Sequence, residues 1–435
     1  MARRKWLFAL ALVLAGIAVL ALVLWSVYRR SDADARAHFE REVRLAKEEG
    51  LPTTPEDLAR LTHVPDGENA APLYKRAVQE FLKVNPKIPG FSLDVIDPDR
   101  PATLEAARLE VAPYRRAIDQ FRAASKRPGY DFPHDWNRDR FQFEEFHQLD
   151  APCLALAKAA LIEALDGNFG SAHEDFAAIA RVSRQVARQP FGFAGLEAAL
   201  LRVILCDAAW RIIRIRPEEP ALAMVERVLG ELGPPPSLRN EIGAEVVVLL
   251  VSVRTNEAIG RLEGTPTPIV DLPVFRFEAY AMSVKALRDE FKAAMQDPEY
   301  GPRARQRFLD VEKGVDRSLD PRSKLATLMV FGFSKTIMSY TRSLAMARAV
   351  TVGVSLMRSR ARAGRFPEAL PKLGENGIDP LTEKPWVYRR EGDGFRLASA
   401  ATFPAVENQK ERPQVEIVFT RPVPSERTSA HQLGF

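Results

Sequence analysis

The sequence is short of the residues on which metal sites and catalytic centres usually rest. Cys153 and Cys206 are its only cysteines. Each stands in an apolar helical stretch, so two small buried residues are expected, with a single disulfide between helices as the alternative. No Cys-x-x-Cys is present, and a structural zinc site of the usual kind has nothing to start from. Histidines number six: His38, His63, His134, His147, His173 and His431. Neither a Gly-x-Ser-x-Gly elbow nor a Ser-x-x-Lys pair occurs, and no glycine-rich loop is of the phosphate- or dinucleotide-binding kind. An excess of one charge is also missing from the body. The net charge is +5, and Arg3, Arg4 and Lys5 ahead of the first apolar run supply most of it. A near-neutral remainder gives no footprint for nucleic acid.

One long hydrophobic run is there. From Trp6 to Tyr28 no residue is charged, and as a helix this run covers roughly 35 Å, enough to span a bilayer core with some tilt. Trp6, Trp25 and Tyr28 mark its ends, where amphipathic rings favour the headgroup level. The apolar stretch is too long for a cleaved signal peptide, and its nearest small-x-small site, Ala33-Asp34-Ala35, lies beyond Arg29 and Arg30. No cysteine follows it, so a lipoprotein is excluded. Lipid contact through residues 6–28 is the expectation. Counting Lys and Arg after the span favours a cytoplasmic body, whereas a very short basic tail favours an exported one. A single-pass cell-membrane protein with its body on the periplasmic or extracytoplasmic side is expected.

Residues 31–49 alternate charge sign at helical spacing and read as a solvated stalk extending the anchor. Asn69 can cap a helix with Pro72 in its first turn, and a helix from Thr103 to Ser125 is interrupted at Pro113. Leu154, Leu161 and Leu165 line one helix face before Gly167-Asn168. Ala172, Phe176, Ile179, Val182 and Val186 line the next. His173-Glu174-Asp175 falls on the polar face of that helix, where solvated side chains are expected. Further helices follow, one with six successive apolar residues at Val246–Val251 that suit a buried core helix. The last, about Arg322 to Arg362, ends in a basic turn and Gly364. Beyond it, short β-like runs surround Trp386–Tyr388, Phe395–Ala398 and Val415–Phe419. The predicted fold is mainly α: an anchor (1–30), a charged stalk and first helices (31–128), a helical body (129–363) and a small β-containing module with a polar tail (364–435).

Three resemblances accompany this reading. Gly167-Asn168-Phe169, Ala172 and Phe176 resemble the turn and second helix of a tetratricopeptide repeat, a likeness confined to residues 167–180 and its immediate surroundings. A lone unit cannot bury its own face, so it implies one hairpin in a larger bundle. Gly364-Arg365-Phe366-Pro367, Asp379-Pro380-Leu381-Thr382, Gly392-Asp393-Gly394-Phe395 and Ser399 resemble the C-terminal region of type II secretion pseudopilins over 364–399. There an Asp-Pro turn and a strand ending in serine build a small sheet on a helix. The anchor contains no acid of the kind that family carries near its processed terminus. As a whole the chain resembles uncharacterised bacterial membrane-anchored proteins combining an anchor, a Glu-Asn-Ala-Ala-Pro segment (Glu68 to Pro72) and this C-terminal series. That likeness implies architecture and no activity.

The expected function is a non-enzymatic envelope scaffold that holds protein partners on its helical body. No catalytic, cofactor-binding or metal-ligating residue is assigned, and no cofactor is called for. The alternative is a hydrolase or metal-dependent enzyme built around His134, Asp135 and His147 in the polar-aromatic stretch Gly129 to Asp150. A third reading is an accessory part of a secretion or pilus-like system acting through the C-terminal module.

Overall fold

Helix-end chemistry sets many of the boundaries in the computed structural model. It describes residues 2–85, 91–93, 101–131, 148–190, 192–255, 273–296, 298–316, 332–403 and 412–419. Among these the chain is mainly helical, with a small β region towards its C-terminus. Helix α1 (Ala2–Glu48) runs without a break, and Gly50 at φ 86° turns the chain out of it. Helix α2 (Pro55–Thr62) opens on a capping box in which Thr54 and Asp57 each satisfy the other's backbone N–H. Helix α3 (Ala71–Val84) begins behind Asn69. That side chain accepts from the Ala71 and Asp131 amides at 2.9 and 3.0 Å and donates to the Asp131 carbonyl at 2.7 Å. Helices α4 (Pro101–Val111) and α5 (Arg115–Ser125) are separated by a 3₁₀ turn over Ala112–Tyr114. Pro113 lacks the N–H that an unbroken helix would use there.

The centre of the molecule is a stack of hairpins. Helices α6 (Asp150–Leu165) and α7 (Phe169–Val186) pack together across Gly167, whose φ of 84° makes the turn. Ala172 and Phe176 are fully buried between them and their neighbours. Helix α8 (Gly192–Ile215) is covered on nearly every side, packing on α6, α7 and helix α9 (Glu219–Leu232). Arg202 inside it donates to the carbonyls of Leu232, Gly233 and Pro234 at 2.9 to 3.2 Å. A buried guanidinium thereby caps the end of α9 and fixes the proline-rich break that follows. Helix α10 (Leu238–Thr255) buries the whole Val246–Val251 run. Helices α11 (Pro273–Ala294), α12 (Pro302–Asp316) and α13 (Phe333–Ala363) complete the body, and Gly364 ends α13 in the left-handed region. The larger apolar core joins α3 to α9 with α13 and the β region. A smaller one is built from the end of α1 with α10 to α13.

Two glycines in the body are there because something else occupies their side-chain space. A Cβ on Gly353 of α13 would stand 2.5 Å from the Trp210 ring. A Cβ on Gly195 of α8 would stand 1.7 Å from the Tyr340 hydroxyl and 1.9 Å from Glu241 Oε1.

Beyond α13, strands β1 (Ile378–Asp379) and β2 (Lys384–Pro385) form a small hairpin. Strands β3 (Val387–Glu391), β4 (Gly394–Ala398) and β7 (Glu416–Phe419) make an antiparallel sheet in the order β3-β4-β7. Strands β5 (Thr402–Phe403) and β6 (Arg412–Pro413) pair separately. Phe366, Phe395 and Phe419 cluster under the sheet with centroids 5.0 to 6.2 Å apart, and Trp210 of α8 meets Phe395 at 6.0 Å.

Several expectations change in this fold. Residues 31–48 belong to helix α1, but one side of that stretch is not solvated: Ala35, Glu42 and Ala46 are buried against α11. A charge pattern cannot reveal a partner helix more than 200 residues away that carries matching charges. The His173–Asp175 stretch is likewise not left in water. His173 meets Glu231 at 3.0 Å, and Asp175 is 1% exposed and paired by Arg122 at 2.6 and 2.8 Å. The Asp175 carboxyl is pushed up to about 6 by burial, against the pull of Arg122. Cys153 and Cys206 are both buried and free. Of the last helix, the part before Phe333 lies outside the described residues.

Candidate functional site

The first feature with functional content is the changing environment of α1 along its length. Side chains are described from Leu14 onwards, with Ala15 excepted. From Gly16 to Val27 every position is exposed, whichever way it faces. Leu14, Ile17, Val19, Leu20, Leu22, Val23, Leu24 and Val27 are each between 51% and 68% exposed. At Tyr28, where the uncharged run ends, coverage begins on one side: Tyr28 is half-buried, the Asp32 side chain is 17% exposed and Ala35 only 5%. Among the residues whose side chains are described, which leave out residues 2–13 and Ala15 of α1, no helix is long and apolar enough to cross a membrane.

From Arg36 onwards the covering element is α11. Arg36 lies over the Phe277 ring at 4.6 Å, and Phe39 meets Phe277 and Tyr280 with centroids at 5.9 and 6.1 Å. The His38 ring meets the Glu278 carboxylate at 3.0 Å and lies 3.7 Å from Glu42. Further along, Arg288 donates to both Glu42 and Glu49, and Lys292 reaches Glu49 at 3.0 Å. Contacts therefore advance together along both chains, and the two helices run parallel. Hydrogen bonds from Arg288 hold the Glu49 carboxyl below the usual range, with Lys292 adding to the effect. Arg288 is 7% and Glu42 6% exposed. Removing one partner of such a buried pair strands the other, at about 3–5 kcal/mol.

Other polar groups lie deeper. Tyr340 of α13 donates to Glu241 of α10 in the gap left by Gly195. Burial pushes the carboxyl of Glu241 well above its ordinary value, although the Tyr340 bond opposes this. Glu290 of α11 is fully buried, and among the described residues neither of its oxygens has a hydrogen-bond partner. Burial raises it well above the usual carboxyl range, and Glu312, Glu245 and Asp289 push the same way. Glu197 of α8 faces Asp150 in the first turn of α6. Burial first, then Asp150, push the Glu197 carboxyl up to about 10. In the β region the buried Asp379 carboxylate accepts from the Leu381 amide at 2.9 Å, Thr382 Oγ at 2.8 Å and Ser399 Oγ at 2.7 Å.

His134, Asp135 and His147 lie outside the described residues. Among those described, no group of three or more His, Cys, Asp or Glu side chains is arranged to hold a metal ion. Among the described residues, a hollow beside Tyr300 and Phe308 and another beside Phe81 and Pro152 each hold about 10 Å³, room for at most one water. Sequence reading passed over Glu241, Glu290 and Glu197. The signal was present for two of them. Glu290 falls on the stripe of Val284, Leu287 and Ala294, and Glu241 on that of Leu238 and Val246, where apolar residues are the rule. No protein-family model, curated protein or solved structure matches the chain.

Proposed function

We propose that the protein is a single-pass, membrane-anchored scaffold, held by α1 and carrying partners on its helical body outside the cytoplasm. One observation carries the anchoring: the side chains of Gly16 to Val27 face outwards all round the helix, and coverage starts where the uncharged run stops. Leaving eight large aliphatic side chains half or more in water forgoes on the order of 10 kcal/mol of burial, as much as a whole domain's net stability. A hydrocarbon surround recovers it. Lipid contact through residues 6–28 accounts for the tryptophans and arginines at the ends of the run. The scaffold part rests on the stacked helices, whose α6–α7 hairpin resembles one tetratricopeptide unit, and is an inference from architecture alone.

Carbonate extraction of native membranes tests the anchor. The full chain is expected in the pellet and a form lacking residues 2–30 in the supernatant; a full chain released by carbonate removes the reading. For the scaffold, cross-linking in intact cells followed by detergent extraction is expected to recover defined partners. Recovery of the chain alone, with known envelope complexes preserved, counts against it.

A second reading, acid–base chemistry around His134, Asp135 and His147, is favoured by the buried Glu197, whose carboxyl is raised by burial and by Asp150 at the end of that stretch. Loss of a catalysed reaction on His134→Ala and Glu197→Gln, with the fold retained, would support it. Participation of the C-terminal module in a secretion or pilus-like system is tested by deleting residues 365–435 and assaying export.

A further inference from the structure

We infer that the body sits directly on the phospholipid headgroup layer through the α11 end of its anchor clamp, instead of standing off on a stalk. The inference rests on the membrane reading of α1 and adds where the body stands and which end meets the lipid. A free helix from Arg29 to Glu48 would hold the body about 30 Å from the bilayer. The same residues are instead folded into the body. Coverage of α1 begins at Tyr28, and the clamp extends through Phe39 and Glu42 to Glu49. Because α11 runs parallel to α1 and Phe277 lies at the level of Arg36, the first residue of α11, Pro273, lies about one turn closer to the membrane. That places it about 6 Å beyond Tyr28. The surface presented to lipid at this level includes the exposed Arg29 and Arg30, with the Arg29 guanidinium 5.0 Å over the Trp25 ring. A cation stacked on an amphipathic ring suits the headgroup region, where phosphates are available.

The clamp also sets orientation. α1 has no glycine between Gly16 and Gly50 and no proline at all, so no hinge residue separates the span from Arg288's two carboxylates. The opposite end of α11, with Tyr300 and Gly301 beyond it, points away from the bilayer. Gly301 there borders Glu383, whose φ is 56° and whose carboxylate meets Arg303 at 2.7 Å. The hairpin of β1 and β2 therefore lies on the membrane-distal side.

Neutron reflectometry on a supported phosphatidylcholine bilayer holding the full chain tests this. The expected profile has protein density beginning at the headgroups with no intervening water layer. A water layer of about 30 Å crossed by thin density, with protein present in the hydrocarbon slab, overturns the seating and leaves the anchor intact. No density in the slab overturns the membrane reading and the seating with it. A second form carries one helical turn of alanine inserted between Arg30 and Ser31, leaving every clamp residue in place. A gap of about 6 Å is expected to open. An unchanged profile for this form overturns the inference.

Discussion

Gly195→Ala is the sharpest test of how the body is held together. The added methyl would stand 1.7 Å from the Tyr340 hydroxyl and 1.9 Å from Glu241 Oε1, with the Tyr340 ring carbon at 2.8 Å. These are ends of two fully buried side chains joined to each other, so neither has solvent to swing into. Either α8 and α13 separate, or the hydroxyl leaves the carboxyl. Overpacking costs about 1–3 kcal/mol and a stranded buried polar group about 1–3 kcal/mol. Either way the loss is about 1–3 kcal/mol, against a net stability of roughly 5–15 kcal/mol. Thermal unfolding of the full chain in detergent micelles, followed by circular dichroism, reads it out. Tyr340→Phe removes the bond by itself, so Gly195→Ala in that background is expected to cost less than in the wild type. Strictly additive effects, or a wild-type melting curve for Gly195→Ala, would refute the close approach.

Other outcomes follow from the same interior. Glu290→Met replaces a buried acid that has no partner among the described residues with an apolar chain of similar size, and should stabilise by about 1–3 kcal/mol; Glu290→Gln should gain little, and a Met form no more stable than wild type would show that Glu290 has a partner. Glu197, Glu241 and Glu290 all have raised folded-state values. Their contribution is complete below the unfolded carboxyl value near 4.5 and falls as pH rises towards the folded values, near 10 for Glu197. Urea midpoints measured at pH 6, 7.5 and 9 should decline steadily, and a midpoint that rises with pH would contradict these environments. Ser399→Ala takes one donor from the buried Asp379 carboxylate. It should cost about 1–3 kcal/mol and speed amide exchange at Leu381, with the α6–α8 amides unchanged.

What could be read in the sequence was what local rules decide. Gly167, Gly364 and Pro113 punctuate helices by their own backbone limits, and each marks a boundary or turn in the fold. The six apolar residues of Val246–Val251 are far too few to span a membrane and read as a buried core helix, which they form. Pairing between distant segments was not readable. The alternating charges of residues 31–49 look solvated until Arg288 and Lys292 are brought beside them. Asp175 looks solvated until Arg122 arrives from α5. The same holds for Glu197, which only the return of α8 beside α6 brings to Asp150. Sequence attention went to His134, Asp135 and His147 because their side chains bind metals and move protons. The described interior instead places its unusual groups on helix stripes, where a lone glutamate is easily passed over.

The pairing of α1 with α11 has a consequence for biogenesis. Arg288 is separated from Glu42 and Glu49 by 246 and 239 residues. At roughly 5–20 residues per second, a ribosome needs about 10–50 s to travel between them. Throughout that interval α1 has no Arg288 for Glu42, while Ala35 and Ala46 lack the surface that later covers them. The earliest segment to be made is thus among the last to dock, and a factor that shields residues 35–49 of the nascent chain would act in that window.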